Sequence, residues 1–262
     1  ALIVSYNGEL FFPTYGSQLS GRQFGLNYDY EVDYRSLKKK FQADNSENWV
    51  LMPLVPYDPY EMDYAEEDST GFSPPSFSKG HFCGTDKTER DVLARLLYGF
   101  RIAMTFAIGY LVLTYVIAIL AGSFMGYLGG KYDLVGLRLV EIWANVPFLY
   151  MVIILVSVMP GWWGVGWQIS SLLIIMVLFS WTGMTYYVRA SVYKEKSRDY
   201  VSAARVIGAN PFRIVFRHLL PNVISTLVTF APFTIAAAIS SITALDFLGY
   251  GLPPPTPSWG EL

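Results

Sequence analysis

The sequence has little of what most catalytic sites are built from. It contains one cysteine, Cys83, and two histidines, His81 and His218, in 262 residues. A single cysteine excludes a disulfide within the chain, and with no obvious base beside it Cys83 is expected to be a buried free thiol. Two histidines, which the topology below puts on opposite sides of a membrane, cannot assemble a zinc site or a Ser–His–Asp triad. Charge is also scarce: Asp, Glu, Lys and Arg make up 15 % of the chain, against about 25 % in soluble domains. The net charge of −2 gives no footprint for nucleic acid. Gly129-Gly130-Lys131-Tyr132 comes nearest to a phosphate loop, but it lacks the upstream glycine and the hydroxyl that would reach phosphate and Mg²⁺. This chain is therefore expected not to hydrolyse ATP, and no cofactor or metal site is expected in it. It opens on Ala1 without a basic segment followed by an apolar one, so no signal peptide is visible. The start is read as a truncation, and the protein is expected to extend both ways.

What the sequence does have is long apolar runs. No charged residue occurs from Ile102 to Gly130, from Ile142 to Val188, or from Leu219 to Leu245. A membrane-spanning helix needs about 20 apolar residues. The runs predict about four spans, near Tyr98–Gly122, Leu139–Val158, Ile169–Val188 and Leu219–Leu245. The second run breaks at Pro160–Trp167, where turn formers mix with interfacial tryptophans. Lys and Arg concentrate in cytoplasmic loops. The stretch Arg189–His218 holds Arg189, Lys194, Lys196, Arg198, Arg205, Arg213 and Arg217, whereas the tryptophan turn holds no basic residue. Arg189–His218 is therefore read as cytoplasmic, the tryptophan turn as external, and residues 1–97, with most of the acids, as external too. The division expected is an external segment over 1–97 and a membrane domain over 98–262. The fold class expected is an all-α polytopic bundle with an irregular external N-terminal segment. That segment shows one short helical signal, near Asp33–Phe41. It is either a decorated loop or a docking surface for a substrate-binding protein.

Gly122 and Gly126, preceded by Ala118, have the four-residue small-residue spacing that lets helix backbones approach closely in lipid. The stretch Ser197–Asn222 reads as two short helices with a corner. Ser197 is the expected cap of the first, with Asp199 in its first turn. Gly208 supplies the left-handed residue that ends it. Asn210 caps the second helix, with Pro211 in its first turn. Tyr200, Ala203, Ala204 and Ile207 fall on one face, which needs something to pack against. By helical signals alone, an ordinary basic loop that holds the topology explains this stretch equally well. Upstream, Asp86-Lys87-Thr88-Glu89 has capping-box spacing.

Ala203, Ala204, Gly208, Leu220 and Pro221 resemble, at matching spacing, the cytoplasmic loop of binding-protein-dependent ABC importer permeases. Ser202 departs from the family, which most often has Glu there. His218-Leu219-Leu220-Pro221-Asn222 resembles the peptide-importer branch of that family. Gly84-Thr85-Asp86 followed by Arg90-Asp91 resembles the external segment before the second span of dipeptide and oligopeptide permeases, which usually have Gly in place of Glu89. The stretch from Leu245 to Trp259 resembles a loop of the same branch. Ser5–Pro13 most resembles the Yej-type microcin C and oligopeptide importers. The resemblance runs from about Val4 to the end. It implies about six spans in the family, so the first and last are expected to be missing here. It also implies a coupling helix docked in a cleft of a separate ATPase that binds ATP and Mg²⁺. The other implied partners are a second homologous permease subunit, a periplasmic peptide-binding protein and membrane lipid. The expected activity is ATP-driven uptake of peptides or peptide-like compounds across the inner membrane.

Ionisable or polar residues beside spans are candidates for a pathway or gate, here Glu141, Asn145 and Asp246. The plainer reading sets both acids at span ends, satisfied by water or by Arg138. An intramembrane enzyme would need paired acids, histidines or metal ligands inside the spans, and the sequence offers almost none. A channel or structural membrane subunit would not need the glycine corner.

Overall fold

The computed structural model describes residues 1–14, 19–44, 47–62, 73–77 and 79–262. They form two compact units, Ala1–Leu97 and Tyr98–Leu262.

The first unit contains a small sheet that the sequence reading did not anticipate. Strand β1 (Ile3–Tyr6) pairs antiparallel with β2 (Glu9–Phe11) on one side and β3 (Trp49–Leu51) on the other. Asn7 and Gly8, at φ 51° and 82°, make the β1–β2 turn. Two left-handed residues give a tight hairpin the twist its strands need, and Asn-Gly supplies them at little cost. Helix α1 (Tyr34–Ala43) starts where the Asp33 side chain accepts from the Arg35 N–H, in agreement with the helix expected near Asp33–Phe41. Its Leu37 and Phe41 are buried with Val4, Phe24, Val32 and Val50. Tyr6 stacks on Phe41 at 5.9 Å and meets Phe24 edge-on at 5.7 Å. Cys83 is exposed, contrary to the expectation of a buried thiol. It lies in the turns around His81–Gly84, off this core.

The second unit is built from helices. They are α2 (Val92–Leu128, which begins in the first unit), α3 (Gly130–Ala144), α4 (Phe148–Ser157), α5 (Val165–Lys196), α6 (Asp199–Val206), α7 (Pro211–Arg213) and α8 (Leu220–Phe247). A π-helical turn, Ile214–Leu219, joins α7 to α8. Among the described residues three helices are long and apolar enough to cross a membrane: Val92–Leu128, Val165–Lys196 and Pro211–Phe247. At 37 residues, α2 is about 55 Å long, well beyond the ~30 Å hydrocarbon layer.

Three expectations need correcting. The span expected at Leu139–Val158 is not a straight helix: α3 and α4 meet at 67°. Pro147 caps α4 in an extended conformation, and the residue before a proline is pushed out of helical geometry. The last long helix starts at Pro211, upstream of the expected Leu219. Pro221 lacks the N–H that would bond the preceding turn, and the chain accommodates it in the first turn of α8, directly after the π-turn. Finally, Ser197 does not cap α6. It ends α5, its hydroxyl donating to the Lys194 carbonyl, and Arg198 holds the N-cap position of α6 without a side-chain bond.

Two packed clusters hold the helices of the second unit. One joins Ala118 of α2, Val188 and Val192 of α5, Val201 and Ala204 of α6, Ile214 and Leu219 of the π-turn, and Val223 and Leu227 of α8. The other joins Phe106, Val152, Leu172, Met176, Ile242 and Leu245. The small-residue stripe of α2 belongs to the first. A Cβ on Gly122 would sit 2.8 Å from Val188 Cβ, and one on Gly126 would sit 2.9 Å from the Arg189 carbonyl. The glycines therefore let α2 lie directly on α5.

Candidate functional site

The stretch from Asp199 to Asn222 is part of the core on one side and bare on the other. Val201 is fully buried and Ala204 is 9 % exposed, whereas Val206 and Ile207 are 88 % and 86 % exposed and Phe212 is 75 % exposed. Ser202 and Ala203 are exposed as well. Val201 and Ala204 pack inward; of the expected apolar face of Tyr200, Ala203, Ala204 and Ile207, only Ala204 is buried. Ala203, Val206 and Ile207 form an exposed arc.

The corner after α6 is a two-bond helix stop. Gly208 has φ +87°. Its N–H donates to the Arg205 carbonyl and that of Ala209 to the Ala204 carbonyl, each at 3.0 Å. This is the bond pattern of a glycine-terminated helix. Asn210 then accepts from the Arg213 N–H at 3.0 Å, and Pro211 opens α7. A second polar knot closes the loop on itself. Tyr200 Oη donates to Glu195 at 2.8 Å, and Asn222 Nδ2 donates to Tyr200 Oη at 3.0 Å. Asn222 also reaches the His218 carbonyl at 3.4 Å. Burial first, and then the hydrogen bond to Glu195, raise the Tyr200 phenol above its ordinary value of 10. It therefore stays a donor at physiological pH. The end of α5, α6 and the start of α8 are joined through one hydroxyl, while Leu219 beneath it is fully buried, Leu220 half-buried and Pro221 exposed.

Gly84, Thr85, Asp86, Arg90 and Asp91 also come together. A Cβ on Gly84 would lie 2.6 Å from the Ser73 carbonyl, and Gly84 is at φ +75°. Thr85 Oγ1 accepts from the Ser73 N–H, and Thr85 pairs with Asp91. Asp86 accepts from the Thr88 N–H and hydroxyl and from the backbone and Nε of Arg90. Burial alone would raise the Asp86 carboxyl, but the bonds from Thr88 and Arg90 outweigh it and hold the pKa below the usual carboxylate value. The expected capping box is not formed. Asp86 makes a polar turn, and Glu89 bends away at φ +61°. Asp91 is the residue that starts α2, its Oδ1 accepting from the Ala94 N–H at 2.6 Å while Oδ2 pairs with His81 Nδ1 at 2.8 Å. The left-handed turn at Glu89 gives a physical reason for a glycine in that position.

Of the candidate pathway residues, Glu141 pairs with Arg138 at 2.6 Å on an exposed face. Asn145 Nδ2 closes the end of α3 on the Glu141 carbonyl, directly before the bend. Asp246 accepts from the Leu252 N–H at 2.5 Å and from the Ser258 hydroxyl, which ties down the loop after α8. The three are not brought together. The sequence reading missed Asp133, which is 5 % exposed and accepts from both Arg189 Nε and Nη2, at 2.5 and 2.6 Å. An acid three residues past a chain reversal signals nothing by itself, and its partner is 56 residues away.

Long apolar helices, joined by a loop that is core on one side and bare on the other, define a multi-pass membrane component. The family described as "Binding-protein-dependent transport system inner membrane component" matches residues 118–262. The chain is 38 % identical over its whole length to the "Inner membrane ABC transporter permease protein YejE" of Escherichia coli strain K12, covering 73 % of that protein. It is 35 % identical, again over its whole length, to the "Peptidoglycan transport system permease protein YejE" of Agrobacterium fabrum, covering 72 % of it. Over 72 % of this chain and 57 % of the relative it is 34 % identical to the "Dipeptide transport system permease protein DppC" of Bacillus subtilis. The chain belongs to the binding-protein-dependent transport system inner membrane component family. It is a multi-pass inner-membrane permease, and the all-α bundle expected from the sequence holds, with a small sheet added at its N-terminal end.

Proposed function

We propose that this permease imports peptides or peptide-like compounds by alternating access, driven by a separate ATPase that binds ATP and Mg²⁺. Residues 1–97 face the periplasm and present a docking surface to a peptide-binding protein. Residues 98–262 form the translocating domain with a second, homologous permease subunit. The stretch from Ser202 to Asn222, on the cytoplasmic side, is the coupling loop, with Ser202, Ala203, Val206, Ile207 and Phe212 against the ATPase. The bend at Asn145–Pro147, with Glu141 beside it, is the moving part of the pathway. The printed name of the Bacillus subtilis relative, a dipeptide transport system permease, supports the peptide class.

The observation that carries this reading is the two-sided α6. A helix with Val201 and Ala204 locked among the spans, and with Val206 and Ile207 bare, can be pushed from outside and must take the spans with it. Transport of this kind needs such a two-state element. The test is co-purification of an ATPase with the intact permease and ATP-driven uptake of a labelled oligopeptide in proteoliposomes, beside a labelled peptidoglycan fragment. Ala203→Asp places a charge on the bare face and should abolish ATP-driven flux while insertion stays normal. Wild-type flux from this variant, or uptake that needs no ATPase, would sink the reading.

A further inference from the structure

The Asp133 carboxylate is held in a way that the coupling loop alone does not explain. It is almost fully buried in the first turn of α3 and takes both prongs of the Arg189 guanidinium, with Tyr193 Oη adding a bond at 3.3 Å. A two-pronged guanidinium–carboxylate pair fixes orientation as well as distance. Lys196, at the end of α5, donates to the Tyr127 carbonyl at 2.5 Å, and the Arg205 guanidinium of α6 lies 5.7 Å from the Tyr127 ring. At its other end α3 is tied to α5 again. Trp143 Nε1 donates to the Leu178 carbonyl at 2.7 Å, and its ring stacks on Phe179 at 5.5 Å. Asp133 to Trp143 along α3 and Arg189 to Leu178 along α5 span about 15 and 17 Å. The two helices are therefore strapped antiparallel at both ends. Directly past the second strap, α3 gives way to α4 at 67°.

We propose that Asp133 and Arg189 are a positioning pair that makes α3 move as one body with α5 and α6, so that displacement of the coupling loop arrives at the Asn145–Pro147 bend. This rests on the reading of α6 as the coupling element. Separating the pair leaves the buried Asp133 carboxylate uncompensated in a poorly solvated place. When α5 shifts, carrying α3 along costs less than breaking the pair, and the adjustment falls on the bend, where Pro147 has already interrupted the helix. The exposed Arg138–Glu141 pair on the same helix can slide through water and does not serve this purpose.

The test uses the reconstituted transporter with its ATPase and binding protein, and reads peptide delivered per ATP hydrolysed. Asp133→Asn should keep ATP hydrolysis near wild type and lower that ratio about tenfold, within the range of ordinary coupling energies. Arg189→Lys keeps the charges but loses the fork, and should lower the ratio by a smaller factor. The reversed pair Asp133→Arg with Arg189→Asp should restore it. Gly208→Val is run in parallel. If Gly208→Val uncouples and both Asp133→Asn and Arg189→Lys keep the wild-type ratio, the relay is wrong and the coupling loop stands. If Gly208→Val also transports at the wild-type ratio, the coupling reading itself fails. Loss of hydrolysis and flux in equal proportion in Arg189→Lys would make the pair a packing element and overturn the proposal, even where Asp133→Asn does not assemble.

Discussion

Substitution at Gly208 separates two reasons for a glycine at the corner of the loop proposed above to couple to an ATPase. One reason is space against the ATPase; the other is backbone conformation. Within this chain a Cβ on Gly208 would meet nothing within 4 Å, and φ is +87°. The cost visible here is therefore conformational. A residue with a Cβ loses about 1–2 kcal/mol in the left-handed region, and Asn loses less because its short polar side chain tolerates that region. A β-branched side chain is the worst case. The chain's alternative is to rotate the corner to ordinary φ and give up the bonds to the Arg205 and Ala204 carbonyls. At about 0.5–1.5 kcal/mol each, those bonds cost as much to lose as the strain costs to keep. Part of the population will leave the native corner, by about one factor of ten for each ~1.4 kcal/mol. The expected order of peptide transported per ATP is Gly, then Asn, then Ala, then Val, with Asn within a few-fold of wild type and Ala about tenfold down. Proteoliposomes with the ATPase, ATP and a labelled peptide give the numbers directly. If Asn, the larger side chain, is worse than Ala, volume against a partner decides the position and the conformational argument is wrong. If Val matches wild type, the corner plays no part in coupling.

Other outcomes follow from the same geometry. Cys83 is exposed, so a membrane-impermeant maleimide should label it in spheroplasts, while Ser197→Cys in a Cys83→Ser background stays unlabelled. The opposite pattern would invert the topology. Gly126→Ala forces a Cβ to 2.9 Å from the Arg189 carbonyl and Val192, which should lower stability by about 1–3 kcal/mol, read as a drop in melting temperature in detergent. An unchanged melting point would mean that α2 and α5 are not in close contact. The Asp86 pKa is lowered from its ordinary 3.8. Its contribution is therefore fully present above that value and lost only as pH falls through the lower, folded value. Asp86→Ala should cost about 1–3 kcal/mol at neutral pH through the stranded Thr88 and Arg90 donors. The difference between variant and wild type should stay flat from pH 7 to about 5. A difference that shrinks across that window would contradict the sign.

Much of this was legible in the sequence because it is local. Charge-free runs gave the spans, and the Gly208, Asn210 and Pro211 spacing gave the corner. What the sequence obscured was direction and distance. Hydropathy over Leu139–Val158 cannot tell one straight helix from two at 67°, although Pro147 carried the hint. The four residues from Asp86 to Glu89 fit both a capping box and a polar turn, and only the positive φ of Glu89 decides between them. Asn7-Gly8 is a hairpin signal, but the strands that flank it are too short to show alternation. Asp133 needed Arg189, from another helix, to become visible.

The paired alanines of α6 show why the pattern is small rather than simply apolar. Ala204 is 9 % exposed and belongs to the cluster of Val188, Val192, Ile214 and Leu219, where α5, α6 and the π-turn meet. A longer side chain there would push α6 away from the spans and slacken the lever. Ala203, one residue earlier, is exposed beside Val206 and Ile207, so a small residue there leaves the helix backbone open to the ATPase proposed above. Adjacent residues on a helix point about 100° apart, so one dipeptide serves both faces. A charge at Ala204 should therefore destabilise the permease itself, whereas the same charge at Ala203 should leave the permease folded and interrupt only its drive. The contrast between Ala204→Asp and Ala203→Asp, read as melting temperature against ATP-driven flux, distinguishes the face that holds the spans from the face that receives the push.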